Sequence, residues 1–593
     1  MTPTHLKPGP FFVLIWILLA MNCAMADKII VSTADQLEDA VDNAQPGDTI
    51  EVRNGIYDTE GSITMYNSGT VDAPIVIRAQ ERGQVELTGE SYFSLRQCEY
   101  VVIEGFLFTS LNKTAVKLEA CNNIRVTRNI FRLQETSSRK WVVVQGIWND
   151  PNALSHHNRI DHNLFENKHM PGNFITIDGS PEPAYQSSQH DRIDHNHFRN
   201  IGPRHENEME AVRIGWSELS MSSGFTVVEY NLFEDCDGDP EVISVKTSDN
   251  IIRYNTIRRS RGTLSLRHGN RSVVAGNFFF GESKSGTGGI RMYGDDHQIY
   301  NNYFEGLTGT RWDAPITLTN GDYDGGGSLS RHFRINRALI AHNTLVKNDY
   351  HIEIGFTNNG KYSKPPRDVK MINNLVWGKQ SELVKIITSP QNMTWEQNLM
   401  FPDSAATLGI FADPEQIMIA NPELSLSEGI WKLSSSSLAV DSGAYIQALM
   451  PFDDADGQLR DQLPDIGADE YAAGDVIRFP LTAADVGPDA GDIVTGIADS
   501  KDAILPTEFR LDANFPNPFN PVTHIRFALQ HPSMITLTIF DVNGKHVETL
   551  IQEIRPAGEH TVQWHGETRA SGVYYYQLKT EFGAQTRKMI LLR

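Results

Sequence analysis

The chain has 593 residues and a formal net charge of −22, with 52 Lys and Arg against 74 Asp and Glu. That length suffices for a large core and more than one domain. The acidic balance argues against general nucleic-acid binding and suits a soluble exported protein.

Residues 1–26 read as an export signal: Lys7 in a short leading region, the apolar run FFVLIWILLA at residues 11–20, and the small-residue site Ala24-Met25-Ala26. The mature chain is expected to begin at Asp27. The apolar run is too short to span a membrane and no later one exists. Loss of the signal removes Cys23 and leaves Cys98, Cys121 and Cys236. Their odd number and spacing support neither a disulfide framework nor a zinc site, so core packing is their expected role. An amphipathic helix follows, with Leu37, Ala40, Val41 and Ala44 on one side, expected to plug the open end of a stacked array.

The middle of the chain repeats. A unit with an asparagine between apolar residues recurs as IRVTRNIF, RIDHNLF, RIDHNHF, TVVEYNLF, IIRYNTI, SVVAGNFF, QIYNNYF, LIAHNTL and VKMINNL. The asparagines are 129, 163, 196, 231, 255, 277, 302, 343 and 374, with intervals as short as 22 to 25 residues. Gly105 and Asn398 extend the series by one unit at each end, and the 41-residue gap from Asn302 to Asn343 reads as a coil carrying an insertion. β-Branched residues beside each Asn favour strands, and units this short bury an apolar side only by stacking. The expected fold is all-β: a right-handed parallel β-helix in which the asparagines form a ladder. The leucine pattern of a leucine-rich repeat is missing, and a β-propeller needs longer blades.

Within this array, residues 207–291 hold NEMEAVRIG, GDPEVISVKTSDN, GTLSLRHGNRS and GTGGIRMYGDDH. The acids Glu208, Glu210, Asp239 and Glu241 come first. From residue 246 to 291 nine cations face two anions, a surplus of seven that opposes the charge of the whole chain. Such an inversion points to an anion site with a metal-binding corner. Lys246, Arg267 and Arg291 precede their asparagines by 9, 10 and 11 residues. They are therefore expected at nearly equivalent places on consecutive coils, roughly 4.8 Å apart. Strand alternation points Ser244, Lys246, Ser265 and Arg267 outward. It would point Glu241 inward with Ile243 unless the strand begins after Glu241.

The repeats fade after Asn398, and DGQLRDQLPDIGADEY closes the array. The expected units are the signal at 1–26, the β-helix at 27–473, a linker at 474–506 and a small antiparallel β-sandwich at 507–593 with turns at Asn543-Gly544 and Ser571-Gly572. The last unit, with NPFNP, IFDVNGK and a final basic-apolar strand, resembles the C-terminal sorting domain of type IX secretion. That likeness implies contact with secretion machinery and a secreted or surface-attached protein.

The array up to about Tyr471, and VISVKTSDN…GTLSLRHGN…GTGGIRMYG above all, resembles polysaccharide lyase family 6, which holds alginate lyases and chondroitinase B. The resemblance implies a catalytic lysine at Lys246 and a catalytic arginine at Arg267. It also implies a Ca2+ site at Asn207, Asp239 and Glu241. The first of those acids is commonly glutamate in the family, so Asp239 is a departure.

The chemistry is consistent with these roles. Eliminating across a uronate removes a proton α to a carboxylate, which needs that charge offset by a cation. Lys246 serves as base if neighbouring cations depress its pKa. Arg267 stabilises the departing oxygen, with His268 or water as rival proton donors. Arg213 and Arg291 suit two-bond grips on substrate carboxylates, and Tyr293 suits stacking on a sugar ring. The expected protein is an exported calcium-dependent lyase of an acidic polysaccharide, alginate first. A chondroitin or dermatan sulfate lyase, a C-5 epimerase and a non-catalytic surface binder are the alternatives. A glycoside hydrolase needs two opposed carboxylates, for which Asp295 and Asp296 are the candidates.

Overall fold

The computed structural model describes residues 27–491 and 510–592, apart from positions 149, 151, 181–184, 325–327, 450–452, 472–475, 512–513, 515, 530–532, 543–544, 556–557, 567–568 and 581–582. The export signal and the Asn543-Gly544 turn lie outside the described residues.

Among the described residues, three parallel sheets of 14, 12 and 14 strands run the length of the array. Each coil gives one strand to each sheet. One coil contributes Ile251–Arg253, Thr256–Arg258 and Gly262–Leu266, and the next contributes Val273–Ala275, Phe278–Phe280 and Thr287–Met292. Equivalent strands pair in parallel from coil to coil, which makes the array a parallel β-helix. The expected helix is present as Ala34–Asp42, capped by Thr33 on the Gln36 N–H, with Leu37, Ala40 and Val41 buried over the first coils.

The sharp bend between the first two strands of a coil explains the asparagines. The residue before each Asn takes a left-handed backbone, for example His195 at φ 53°, Tyr254 at 56° and Gly276 at 62°. The Asn then sits fully buried at the turn. Its N–H and Nδ2 both donate to the Oδ1 of the Asn one coil on, from Asn129 through Asn398, at 2.9–3.2 Å. A buried bend leaves backbone groups without strand partners, and this ladder satisfies them. One detail differs from the repeat reading. Gly105, at φ 82°, occupies the left-handed position, and Phe106 stands in the asparagine's place, its N–H reaching Asn129 Oδ1 at 2.9 Å. A second ladder of stacked rings, Phe108, Phe131, Phe165, Phe198 and Phe233, fills the core at centroid spacings of 4.5–5.1 Å.

Cys98, Cys121 and Cys236 are free and buried. The C-terminal unit has two antiparallel sheets of three and four strands, among them Val522–Leu529, Ser533–Asp541 and Gly572–Thr580. They close on a core that includes Phe527, Leu537, Trp564 and Tyr576.

Residues 476–491, inside the stretch expected to link the two units, lie back along the array. Arg478 pairs with Asp453 at 2.7 Å and covers the Tyr254 ring, and the Leu481 N–H reaches Thr256 Oγ1. The Gly487 N–H donates to the His195 carbonyl, Arg128 to the carbonyls of Pro488 and Ala490, and Arg82 pairs with Asp489 at 3.0 Å. This strap runs from the closing segment across a middle coil toward the first ones.

Candidate active site

The outer face of the 12-stranded sheet gathers the polar residues. Its pairing register aligns Arg213, Ser244, Ser265 and Arg291 in one row across four coils. Lys246 and Arg267 come directly after their strands, two residues beyond Ser244 and Ser265 and level with Tyr293. The expected column of Lys246, Arg267 and Arg291 is therefore offset: Arg291 stands in the inner row with the serines. A separate irregularity lies in GTGG, just before Arg291. The register slips between Gly262 and Leu264, where Thr287–Met292 carries Gly288-Gly289 against the sheet. A Cβ on Gly289 would come within 2.0 Å of the Pro315 carbonyl oxygen, so no side chain fits there.

A second bulge decides the placement of Glu241. Glu241 pairs with Thr263 and Ile243 with Leu264, leaving Val242 without an opposite number. The bulge turns Glu241 onto the outer face, which simple alternation did not foresee. There its Oε2 accepts from Ser244 Oγ at 2.5 Å, while Oε1 takes the Arg291 guanidinium and lies 3.3 Å from Arg267 Nε. Burial alone would raise the Glu241 carboxyl, but Arg291, Arg267 and Lys246 hold it down at about 2. Asp239 goes the other way: burial and the charges of Glu210 and Glu241 push it up to about 7. Its Oδ1 accepts the Glu241 N–H at 3.0 Å and its Oδ2 the Met209 N–H at 3.4 Å. Asn207 is exposed two residues before Met209.

Lys246 is largely covered, with Nζ 3.6 Å from Glu210 Oε1. Glu210, absent from the expected ligand set, is itself buried and accepts from Asn173 Nδ2 at 2.7 Å. Arg267 lies over the Tyr293 ring at 5.8 Å, and its Nη1 is buried without a hydrogen-bond partner. Arg213 is fixed by Asp178 at 3.1 Å, and its buried Nε is likewise unsatisfied. Two buried guanidinium N–H groups left open on one face suit an anion that would complete them. His268 is buried, with Nε2 3.2 Å from Ser217 Oγ. Burial and the charges of Arg267 and Lys246 drive its pKa down to about 3, so the ring is neutral. Burial also raises the Tyr293 hydroxyl, which stays protonated.

The insertion between Asn302 and Asn343 brings residues that no spacing in the sequence announced. His332 packs on Tyr293 and on Tyr362 at centroid distances of 4.7 Å, and lies 6.2 Å from His268. Burial and Arg267 hold His332 at about 2. Beside the insertion, Asn270, Phe333, Arg334, Asn336, Arg337 and Arg367 line a cavity of about 300 Å3. Asp295 and Asp296 do not face each other across a groove but are both taken by Arg337, at 2.8 and 2.6 Å.

The surplus of positive charge in residues 246–291 is not one surface. Arg253 pairs with Glu229, Arg259 with Glu234, Arg271 with Asp249 and Lys284 with Asp235, away from this face. A coil of 22 to 25 residues visits every side of the array, so neighbours in sequence are scattered around it. Lys246, Arg267 and Arg291 remain on the face with the acids.

Residues 31–429 match the chondroitinase B family. The chain belongs to that family. Residues 513–592 match the secretion system C-terminal sorting domain, which marks the chain for export, to secretion or cell-surface attachment. No helix among the described residues is long and apolar enough to cross a membrane. Among solved structures, the chain is similar to the PL6 family alginate lyase AlyGC, with 30% identity and a TM-score of 0.60 over 69% of this chain and 56% of AlyGC. The chain thus spans little more than half of AlyGC's length. A mannuronic acid specific polysaccharide family 6 lyase from human gut microbiota is 27% identical, with a TM-score of 0.54 over 63% of this chain and 86% of its own. A PL6 alginate lyase solved with a trisaccharide shares the fold at 22% identity and a TM-score of 0.54, over 70% of this chain and 92% of its own. No curated protein matches the chain.

Proposed function

We propose that this chain is an exported lyase that cleaves a uronate-containing acidic polysaccharide by β-elimination, with alginate as its substrate. The reading rests above all on one observation: Lys246 and Arg267 stand at the same level of adjacent coils, and Arg267 presents a buried, unsatisfied N–H. Alginate is preferred because AlyGC and the gut lyase are described as acting on alginate or mannuronic acid.

In this scheme Arg213 and Arg291 hold substrate carboxylates, and Tyr293 with His332 forms an aromatic wall for a sugar ring. The Lys246 amine takes the proton α to the uronate carboxylate. The electron pair forms the new double bond, the glycosidic C–O bond breaks, and the departing oxygen gains a proton from water. Arg267 stabilises charge on that oxygen. His268, neutral and bonded to Ser217, orients rather than supplies the proton.

A divalent cation fits the acidic corner on two grounds. Buried Asp239 sits among the like charges of Glu210 and Glu241, and Asn207, Asp239 and Glu241 offer hard oxygen donors of the kind Ca2+ takes. When bound, it would offset the substrate carboxylate's charge. The shorter Asp239 places its donor close to the backbone of Met209 and Glu241.

The test is ultraviolet absorbance of the purified protein mixed with alginate, with chondroitin and dermatan sulfate in parallel, with and without a calcium chelator. A rise from unsaturated uronate on alginate, abolished by chelation and in Lys246→Ala, is the expected result. A rise only on a sulfated polymer changes the substrate. A flat trace on all three overturns the lyase reading in favour of an epimerase or a binder.

A further inference from the structure

The segment that closes the array contains a second acidic group, remote in sequence from the groove residues. Asp454, Asp456 and Asp469 each offer a carboxylate oxygen within 4.8 Å of the others. Asp454 and Asp456 are almost wholly buried, at 0% and 2% exposure. Acidic clusters alone prove nothing, but two further observations separate this one.

First, Asp456 Oδ1 is buried with no hydrogen-bond partner, while its other oxygen takes Lys432 at 2.6 Å. A fully desolvated carboxylate oxygen without a donor is costly unless something unseen completes it. Second, the charges do not balance. Among the described residues, Lys432 pairs with Asp456, and Arg460, the other cation acting on the group, bonds Glu470 at 2.8 Å. The three aspartates and Glu470 against those two cations leave two negative charges, which matches a divalent cation.

The donors are also held in place. Asp454 Oδ1 accepts the N–H groups of Asp456 and Gln458 at 3.1 and 2.8 Å, and its Oδ2 accepts the Glu470 N–H at 2.8 Å. Asp469 Oδ2 accepts the Leu433 N–H at 2.7 Å. The spacing Asp-x-Asp followed by Gly457 is that of a calcium-binding loop, in which alternate side chains point to one centre. The second trio of the molecule, His162, Asp194 and His195, lacks these properties: both Asp194 oxygens already bond Arg159.

We infer that Asp454, Asp456 and Asp469 form a structural site for a Ca2+-like divalent cation that fastens the closing segment onto the array. The ion would join three stretches of chain, at 432–433, 454–458 and 469–470. The rival arrangement is a proton shared between Asp454 and Asp456 with Lys432 and Arg460 as the only cations.

The experiment is a calcium titration of chelator-stripped, full-length protein by equilibrium dialysis, with melting temperature followed in parallel, on the wild type and Asp456→Asn. The wild type should bind one more Ca2+ per chain than the variant. It should also show a calcium-dependent melting rise of roughly 5 °C that the variant loses. Because the difference is read, the result does not depend on any ion in the groove. Equal stoichiometry and equal melting shifts overturn the site. Should Asp456→Asn not fold, Lys432→Gln gives the answer. With a cation site, removing the competing ammonium lowers the calcium concentration for half-maximal stabilisation several-fold. With a shared proton, the variant melts lower and calcium does not restore it.

Discussion

Arg267 and Arg291, one coil apart and in different rows, converge on the same oxygen of Glu241. The carboxylate thus spaces the two guanidinium groups that face the groove, and it reaches them only because Val242 bulges out of register. A conservative change at Glu241 should therefore act on both. Glu241→Gln leaves Arg291, which is 6% exposed, without its counter-charge. We expect a loss of about 3–5 kcal/mol in denaturant unfolding together with loss of turnover. Normal stability in this variant would show the pair to be replaceable.

Lys246→Ala and Arg267→Ala should each reduce kcat by about 10^2- to 10^4-fold while oligosaccharide binding, measured calorimetrically, is largely kept. A non-catalytic binder would lose affinity alone. Arg267→Lys should rescue little, since the ammonium cannot both meet Glu241 and present the open N–H.

Arg213 is fixed by Asp178 at one end and open at Nε. Its loss removes a grip that ground state and transition state share. Arg213→Ala should raise KM roughly tenfold or more with kcat nearly unchanged. A fall in kcat at constant KM would instead place Arg213 at the reacting centre.

The Asn ladder predicts a graded cost. Asn255→Ala strands the N–H of Asn231, takes one bond from its Nδ2, and removes the Asn255 Nδ2 bonds to the Val228 and Arg253 carbonyls. Asn129→Ala strands only the N–H of Phe106, because Phe106 has no amide to donate. The first should cost about 3 kcal/mol and the second measurably less in matched unfolding titrations.

His351 is buried with both ring nitrogens unpartnered, and burial alone pushes its pKa down to about 3. The unfolded chain gains this proton near the ordinary histidine value and the folded chain does not. Its contribution is thus complete above about pH 6.5 and is lost as pH falls toward 3. His351→Leu should flatten the fall in melting temperature between pH 6.5 and 4, and should not destabilise the protein at pH 7. An unchanged acid slope would show that other groups set it.

Legibility in the sequence followed the range of the interactions. The asparagine ladder was readable because each coil repeats the same buried bend, and the level of Lys246 and Arg267 followed from it. The helix at Ala34–Asp42 was readable because its apolar stripe and its Thr33 cap are local. What escaped depends on contacts between coils or on irregular backbone. The bulge at Val242 turned Glu241 to the other face, which alternation cannot express, and Arg291 falls two residues short of the level that Arg267 shares with Tyr293. His332 reaches Tyr293 through an insertion whose path has no periodicity. Glu210 lay in view but meets Lys246 only when two coils are stacked. The basic stretch misled for the same reason, since a linear count cannot tell which side of a coil a charge occupies.

A stack held only by adjacent coils frays one coil at a time from either end. The strap at residues 476–491 changes that order, because it is bonded at Asp453, Thr256, His195, Arg128 and Arg82 along the way. The middle coils cannot part from the early ones without dragging the strap away, so a stack of neighbours acquires a lengthwise seam. The same seam returns the chain to the vicinity of its first coils before the exported tail begins. Tension on that tail would then be felt first near Arg82 and Arg128, on other coils than Lys246 and Arg267.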